Sequence, residues 1–583
     1  MCKSANVGGS ISLAAENNLT ARVANIASGQ GDISLSAGRD IRLTAGKETA
    51  VDRFGEKHKA SAFLSTMTTT LRSDSERTAA RGTNVTGKNV HLAAQQDIQL
   101  QAANVVADES AAIAAGRNLS AETAENYAHT DSLRETKTSG VFSSGGLGFT
   151  IGTQKQKSER ESSALTQAGT NIAGLKGDVR ITAGETAHLT SADILAGKEA
   201  SIQAKETHLD GKENIYRESF TQESRTTGLT VSLSHGLLDL GQEIAAPLMR
   251  MGEVKDDRLK AGRLIHENFG KGQNPLKNAS GFSLNLSLGT SKTYSRTEST
   301  SKEYVGSTIR AGGTTSIEAA EHDLSVKGSQ VAGKDVSLKA KGDVRLEAGE
   351  NTSVTTSENK TSAASIGASF SPQGLSGLSL SASSAKGKSK ESRTSYTPTE
   401  VKAAGTLKLE SGKDTNILGS KAKGEKIEAK VGGNLTIETL QEKETYEEKN
   451  TSAGFNLSWS MNQMLDPAGS GKILRSFSKP TIGASVSKGS LESYYRSARE
   501  QAGIFAGKDG FDIYVEKNTG LKGGVLASDA EAEKNRLSTG TFSFSDLENE
   551  ADYSAKSIGA AYHHYGSYDK MSQQAKDREA LIK

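Results

Sequence analysis

The stretch Val85-Thr86-Gly87-Lys88-Asn89-Val90-His91-Leu92-Ala93-Ala94 decides the fold. Gly87 and Asn89 tolerate left-handed backbone angles and mark a turn, after which Val90 and Leu92 set two apolar side chains on one face of a short strand. The phrase returns at Gly38-Arg39-Asp40-Ile41-Arg42-Leu43, Gly116-Arg117-Asn118-Leu119, Gly177-Asp178-Val179-Arg180-Ile181, Gly333-Lys334-Asp335-Val336-Ser337-Leu338, Gly342-Asp343-Val344-Arg345-Leu346 and Gly433-Asn434-Leu435-Thr436-Ile437. Degenerate copies stand at Gly412-Lys413-Asp414 and Gly507-Lys508-Asp509. Each copy reads as a turn followed by a strand.

The spacing says how these strands pair. Ile11 to Ile33 and Leu19 to Ile41 are 22 residues apart, Val90 to Ile113 is 23, Ile317 to Leu338 is 21, and Leu407 to Ile427 and Ile417 to Ile437 are 20. A period of that length, with two or three short strands and no helical periodicity, predicts one coil of a right-handed parallel β-helix. A set of antiparallel hairpins with similar turns is the alternative. In the solenoid, Ile33, Leu43, Val90, Leu92, Ile98, Leu100, Ile181, Leu338, Leu346 and Ile437 point inward.

Coil-like sequence occupies 1–48, 82–122, 169–210, 306–349, 405–440 and 503–545, enough for roughly 12 coils and a rod of ~55 Å at ~4.8 Å per coil. Between these blocks, 49–81, 123–168, 211–305, 350–404 and 441–502 begin and end in Glu, Lys, Ser and Thr and read as hairpins thrown outward. The repeating unit is thus two coils plus a hairpin. Alternation is clear in Gly228-Leu229-Thr230-Val231-Ser232-Leu233, in Gly281-Phe282-Ser283-Leu284-Asn285-Leu286-Ser287-Leu288, and in Gly454-Phe455-Asn456-Leu457-Ser458-Trp459 answered by Thr481-Ile482-Gly483-Ala484-Ser485-Val486. One face is apolar and the other polar. Phe282, Leu284, Leu286, Leu288, Phe455, Leu457 and Trp459 are therefore the candidate membrane or partner contacts. Two outcomes stay open: the apolar faces meet lipid, or they pack on the side of the rod. The few short helices expected are the tip of the longest insertion (Leu237 to Ile265), Met461 to Phe477, Leu491 to Ala502, and Tyr568 to Ile582 within a partly helical tail, 546–583.

Composition agrees with an all-β repeat. The 583 residues include 61 Gly but only 6 Pro, and 34% are hydrophobic and 5% aromatic. Wide conventional cores are excluded, and so are frequent interruptions of a backbone ladder. The formal net charge is +2 with neither sign in a long block, so no nucleic-acid partner is expected. Cys2 alone supports neither an intramolecular disulfide nor a cysteine zinc site. Catalytic phrases fail in detail. Gly387-Lys388-Ser389 has Ala382 where a phosphate loop needs glycine, His266-Glu267-Asn268-Phe269-Gly270 lacks the second histidine of a zinc-protease helix, and Gly-x-Ser-x-Gly does not occur. His563-His564 reads as a solvated aromatic turn. The expectation is no enzyme activity, no cofactor and no metal.

The Gly-[Lys/Arg]-[Asp/Asn] coils with Ser- and Thr-rich hairpins resemble the hemagglutinin repeats of filamentous hemagglutinin proteins. The resemblance covers nearly the whole chain. More closely, Lys517-Asn518-Thr519-Gly520-Leu521-Lys522-Gly523-Gly524-Val525-Leu526-Ala527-Ser528, with Glu533-Lys534-Asn535-Arg536-Leu537-Ser538-Thr539-Gly540-Thr541, is similar to the close of the second hemagglutinin-repeat region in contact-dependent growth inhibition exoproteins. That resemblance implies a two-partner-secreted surface protein, with an outer-membrane transporter as its secretion partner and the surface or outer membrane of a target cell as its contact. It implies adhesion or toxin delivery. The N-terminal residues lack the apolar stretch of a signal peptide, so a secreted or cell-surface location is expected for this chain as part of a longer protein. The alternative is a structural spacer, or an unsecreted fragment of a disrupted gene, with no binding activity of its own.

Overall fold

A computed structural model describes residues 3–6, 9–62, 64–145, 148–235, 282–371, 374–465 and 473–565. The short strands wind into an all-β parallel β-helix. One 12-stranded sheet takes a single strand from each coil, from Lys3–Asn6 to Val525–Ser528. The remaining coil strands form a 22-stranded sheet of two parallel columns.

Five of the six sequence spacings are ladder partners: Ile11 with Ile33, Leu19 with Ile41, Ile317 with Leu338, Leu407 with Ile427 and Ile417 with Ile437. The sixth is off by two, since Val90 opposes Ala111 while Leu92 opposes Ile113. A slip of two keeps every side chain on its face, so the apolar pattern alone does not distinguish the registers. Equivalent residues stack: Leu35, Leu92, Ile113, Ile181, Ile202, Ile317, Leu338 and Leu409 follow one another up a single column. All ten residues expected inside are buried.

The Asp or Asn of the turn phrase does more than permit the turn. Its side-chain oxygen accepts the backbone N–H of its counterpart one coil on. Asp97 Oδ1 accepts from Asn118, Asp323 Oδ1 from Asp343, Asp343 Oδ1 from Asp414, and Asp414 Oδ1 from Asn434, at 2.7–3.1 Å. These bonds satisfy turn amides that belong to no strand.

At the corner after a coil's last strand the chain alternates between two solutions. In one coil of each pair a single left-handed residue turns the corner: Val23, Ala102, Ser191, Gly328, Gly419 and Gly523, with φ between 46° and 59°. In the other coil the corner opens into a hairpin. The arms are Gly46–Ala62 with Ser65–Arg81, Ala124–Gly145 with Gly148–Ala168, Lys212–His235 with Phe282–Val305, Gly349–Ser371 with Gly374–Thr397, and Glu442–Leu465 with Ile473–Phe477 and Thr481–Ser497. Where the chain returns from the second hairpin, Gly169 is required, because a Cβ there would lie 2.0 Å from the Ser191 carbonyl oxygen.

The residue after that glycine locks the hairpin base. The buried hydroxyl of Thr170 accepts the Ala103 N–H at 3.3 Å and donates to the Glu122 carbonyl, where the hairpin left the coil, at 3.1 Å. Thr83, Ser307 and Thr399 do the same at the first, third and fourth hairpins. At the fifth, Ala502 takes that position, and Thr439 on the departing side supplies the hydroxyl, accepting the Ala502 N–H at 2.9 Å.

The hairpins are not separate. Two coils and two hydrogen-bonded strands both advance about 9.6 Å, so the second arm of one hairpin reaches the first arm of the next. They join into one antiparallel sheet along the rod, bounded by Gly46–Ala62 and by Glu550–His564. Several expectations need correction here. Residues 461–465, 473–477 and 491–497, expected in helices, are strand, because lateral pairing supplies their backbone partners. Residues 550–564 of the expected tail form a strand against Thr481–Ser497, and His563 and His564 sit exposed on it rather than in a turn. The helical readings of 237–265 and of 568–582 lie outside the described residues. Among the described residues the only helical turn assigned is Ala532–Lys534, and no helix is long and apolar enough to cross a membrane.

Candidate functional site

Directly opposed residues in an antiparallel sheet share a face, so the register fixes which side chains meet. From the second hairpin to the fifth, one row reads Val141, Ile151, Leu229, Leu288, Ile366, Leu380, Leu457 and Ile482, each opposite the next. The next row toward the tips reads Val231, Leu286, Ala368, Leu378 and Trp459. Leu284 opposes Leu233 and Phe370 in a third. Leu284, Leu286 and Leu288 and, some 170 positions on, Leu457 and Trp459 therefore lie in one continuous apolar band, with Phe455 one row nearer the rod, opposite Ala382 and Ala484.

The band is open to solvent. Leu288 is 56% exposed and Ile366 59%, with Leu284, Leu380 and Phe455 also exposed. Leu286, Leu457 and Trp459 are half-buried against their neighbours in the sheet. Phe282 lies in the strand opposite His235. Among the described residues, the rod's apolar core and the partly buried hydrophobic side chains packed against it include none from the five hairpins. Of the two outcomes left open by the sequence, the exposure of Leu284, Leu288, Ile366 and Leu380 favours a sheet that keeps its own two faces over one that packs on the rod. Sequence reading passed over Ile366, Leu378 and Leu380, although Ile366-Gly367-Ala368 and Leu378-Ser379-Leu380 carry the same alternation.

The opposite face is uncharged and, apart from Phe142, small at the same level. Ser365 and Ser381 share a hydroxyl contact of 2.8 Å, Thr150 and Thr230 one of 2.9 Å, and Ser369 donates to Asn285 Oδ1 at 2.7 Å. On the apolar face, charged side chains begin nearer the rod. Glu135 pairs with Lys137 at 2.8 Å and Lys155 at 2.9 Å, and these ammonium groups hold its carboxyl below the usual range. A cleft of about 580 Å3 on this face is walled by Arg296, Glu298, Glu358, Lys388 and Lys449, with Glu358 bridging Lys360 and Lys388 at 3.0 and 3.2 Å.

The third hairpin has a titratable base. His188 Nε2 meets Asp210 Oδ2 at 2.8 Å, and this hydrogen bond raises the imidazole pKa above its ordinary value. Tyr304 beside it accepts the Gly211 N–H at 2.6 Å, and burial pushes its phenol up to about 12. Among the described residues no cluster of three metal-ligating side chains occurs.

Comparison with known proteins decides the lineage. The hemagglutinin repeat matches residues 3–72, 64–152, 151–245 and 288–453, more than half of the chain. The chain belongs to the hemagglutinin-repeat family. Among relatives of this repeat chain, the tRNA nuclease CdiA of Escherichia coli (strain STEC_O31) is 33% identical over 573 residues, covering 94% of this chain and 17% of that protein. The deoxyribonuclease CdiA of Dickeya dadantii (strain 3937) is 32% identical over 576 residues, covering 95% and 17%. The 16S rRNA endonuclease CdiA of Enterobacter cloacae subsp. cloacae is 32% identical over 560 residues, covering 93% and 16%. The chain spans about one-sixth of the length of these relatives. No solved structure matches it.

Proposed function

We propose that this chain is a non-enzymatic repeat segment of a large exoprotein displayed on the bacterial surface, and that it mediates adhesion or toxin delivery by contact with the outer membrane of a neighbouring cell. Three relatives named for three different nucleic-acid-cleaving activities match nearly the whole chain at 32–33% identity. This supports reading the shared segment as a scaffold rather than as the seat of any one of those activities. Secretion through a dedicated outer-membrane transporter belongs to the same proposal.

The observation that carries the proposal is the exposed apolar band. A spacer needs only stacked coils, and it gains nothing from aligning Leu288, Ile366, Leu380 and Leu457 on one open face. The described alternation runs five to seven residues per strand, as at Leu229–Leu233 and Phe282–Leu288, below the ~9–11 a strand needs to cross a bilayer. This part of the sheet fits contact with one leaflet, apolar face down, rather than a complete barrel.

The test is one double variant, Leu284→Asp with Leu286→Asp. Carboxylates on the band oppose entry into hydrocarbon, so association with outer-membrane vesicles is expected to fall at least tenfold while the melting temperature of the coils is unchanged. Unchanged association would remove the band from the function. Lowered melting with unchanged association would assign these residues a packing role instead.

A further inference from the structure

The overall charge of +2 conceals a separation that only the register reveals. Two rows below the apolar band, on the same face, Lys59 and Lys137 flank Thr68, and Lys137, Lys155, Arg225 and Lys292 then stand opposite one another on four successive strands. No carboxylate lies among these residues. The row beneath carries Lys57, Lys157, Lys360, Lys386 and Lys488, against only Glu135 and Glu223. Three rows nearer the rod than Lys137 the sign reverses, with Asp74, Asp131 and Glu161 opposite one another.

Like charges directly across a strand pair destabilise a sheet, and four in succession repeat that cost at each strand pair. Glu135 bridges Lys137 and Lys155, and Glu223 lies 3.3 Å from Lys292. Among the described residues Arg225 and Lys59 have no carboxylate partner. Across the second and third hairpins the cationic row borders the apolar band, separated from it by a row of Ser139, Thr153, Thr227 and Thr290. Beyond Lys292 the same row continues uncharged through Ser362, Ser384 and Ala453. The order from tip to base is apolar, hydroxylic, cationic, which is the order a lipid surface presents as hydrocarbon, glycerol region and phosphate.

We propose that this row, Lys59, Lys137, Lys155, Arg225 and Lys292, is a binding site for the phosphate groups of an anionic lipid surface, and that it sets the depth at which the apolar band enters. The inference rests on the membrane contact proposed above and names its headgroup chemistry. Apolar entry alone is indifferent to headgroup charge, whereas the row adds an attraction that salt screens over about 10 Å at 0.1 M. A nucleic acid would use the cations but leave the adjoining hydrophobic band without a role.

The experiment compares binding of the chain to phosphatidylcholine vesicles and to vesicles with one-third phosphatidylglycerol, at ~50 mM and ~500 mM salt. The expected result is at least tenfold tighter binding to the anionic vesicles at low salt, with the preference lost at high salt. Lys137→Gln, Lys155→Gln, Arg225→Gln and Lys292→Gln together should reduce the preference to under twofold and leave binding to neutral vesicles unchanged. Equal neutralisation on the rod, at exposed Lys339, Lys402, Lys408 and Lys430, should retain it. Equal binding of the unaltered chain to both vesicles would overturn this inference and spare the membrane contact. Absence of binding to both would overturn the two together. Preference for a single-stranded oligonucleotide over anionic vesicles, abolished by the four sheet substitutions, would also overturn it. Should the fourfold variant fail to fold, the salt and lipid dependence of the unaltered chain still decides the matter.

Discussion

The rod and the hairpin sheet are built from the same chain at the same strand spacing, yet they hold together by different means. In the coils, side chains at equivalent positions stack in buried columns, and Leu92, Ile181 and Leu338 are removed from water altogether. In the sheet, one layer of strands meets solvent on both sides, and its stability comes from backbone ladders, hydroxyl pairs, ion pairs and attachment to the rod. The lesson is that the rod supplies order and the sheet supplies surface. A layer without a core can afford an unusual face because the corners of the coils fix where each arm begins.

The contrast should be largest in stability. Leu338→Asp puts an unpaired charge into a column and should cost about 4 kcal/mol or more in urea unfolding, whereas Leu288→Asp in the band should change stability by no more than about 0.5 kcal/mol. Similar losses at both sites would mean that the sheet has a buried side after all. Next in size is the hinge between the regions. Thr170→Val keeps the shape but leaves the Ala103 N–H and the Glu122 carbonyl without the hydroxyl, at a cost of about 1–3 kcal/mol. Hydrogen exchange should accelerate first at the base of the second hairpin, and uniform acceleration over the rod would contradict the assigned lock. The smallest effect concerns pH. His188 has a raised pKa, so its pairing with Asp210 stabilises the fold fully below about pH 6.5 and fades as pH climbs through the raised value. His188→Gln should remove that decline in thermal melts taken from pH 6 to 8, and an unaltered slope would show that the pair is not coupled to folding.

Legibility in the sequence divides along the same line. Parallel stacking repeats one residue type at one interval, so Ile11 and Ile33, or Ile417 and Ile437, announce their pairing directly. Where the repeat degenerates, as at Val90 and Ala111, the interval misleads by two. Within a hairpin the alternation of Leu284, Leu286 and Leu288 was equally plain. What the sequence concealed was the register between hairpins, because the rise of the coils sets it and no local turn does. Leu288 and Ile366, or Lys155 and Arg225, come together only when two coils have been wound between them. Leu491–Ser497 resembled a helix when read alone because its strand partners lie far off in sequence, in Glu442–Leu465 and Glu550–His564.

The central claim is that neighbouring hairpins share one register imposed by the rod, and disulfide trapping tests it most directly. In a Cys2→Ser background, Leu288→Cys with Ile366→Cys joins residues that oppose each other on adjacent hairpins, at a separation of about 4.5–5.5 Å between Cα atoms, within disulfide range. Leu288→Cys with Ser362→Cys keeps the same face but shifts the pair by four residues, beyond that range. Mild oxidation should cross-link the first pair nearly completely within the folded monomer and leave the second as free thiols. Free thiols in the first pair, or equal cross-linking of both, would contradict a register fixed by the coils, and with it the apolar band and the cationic row.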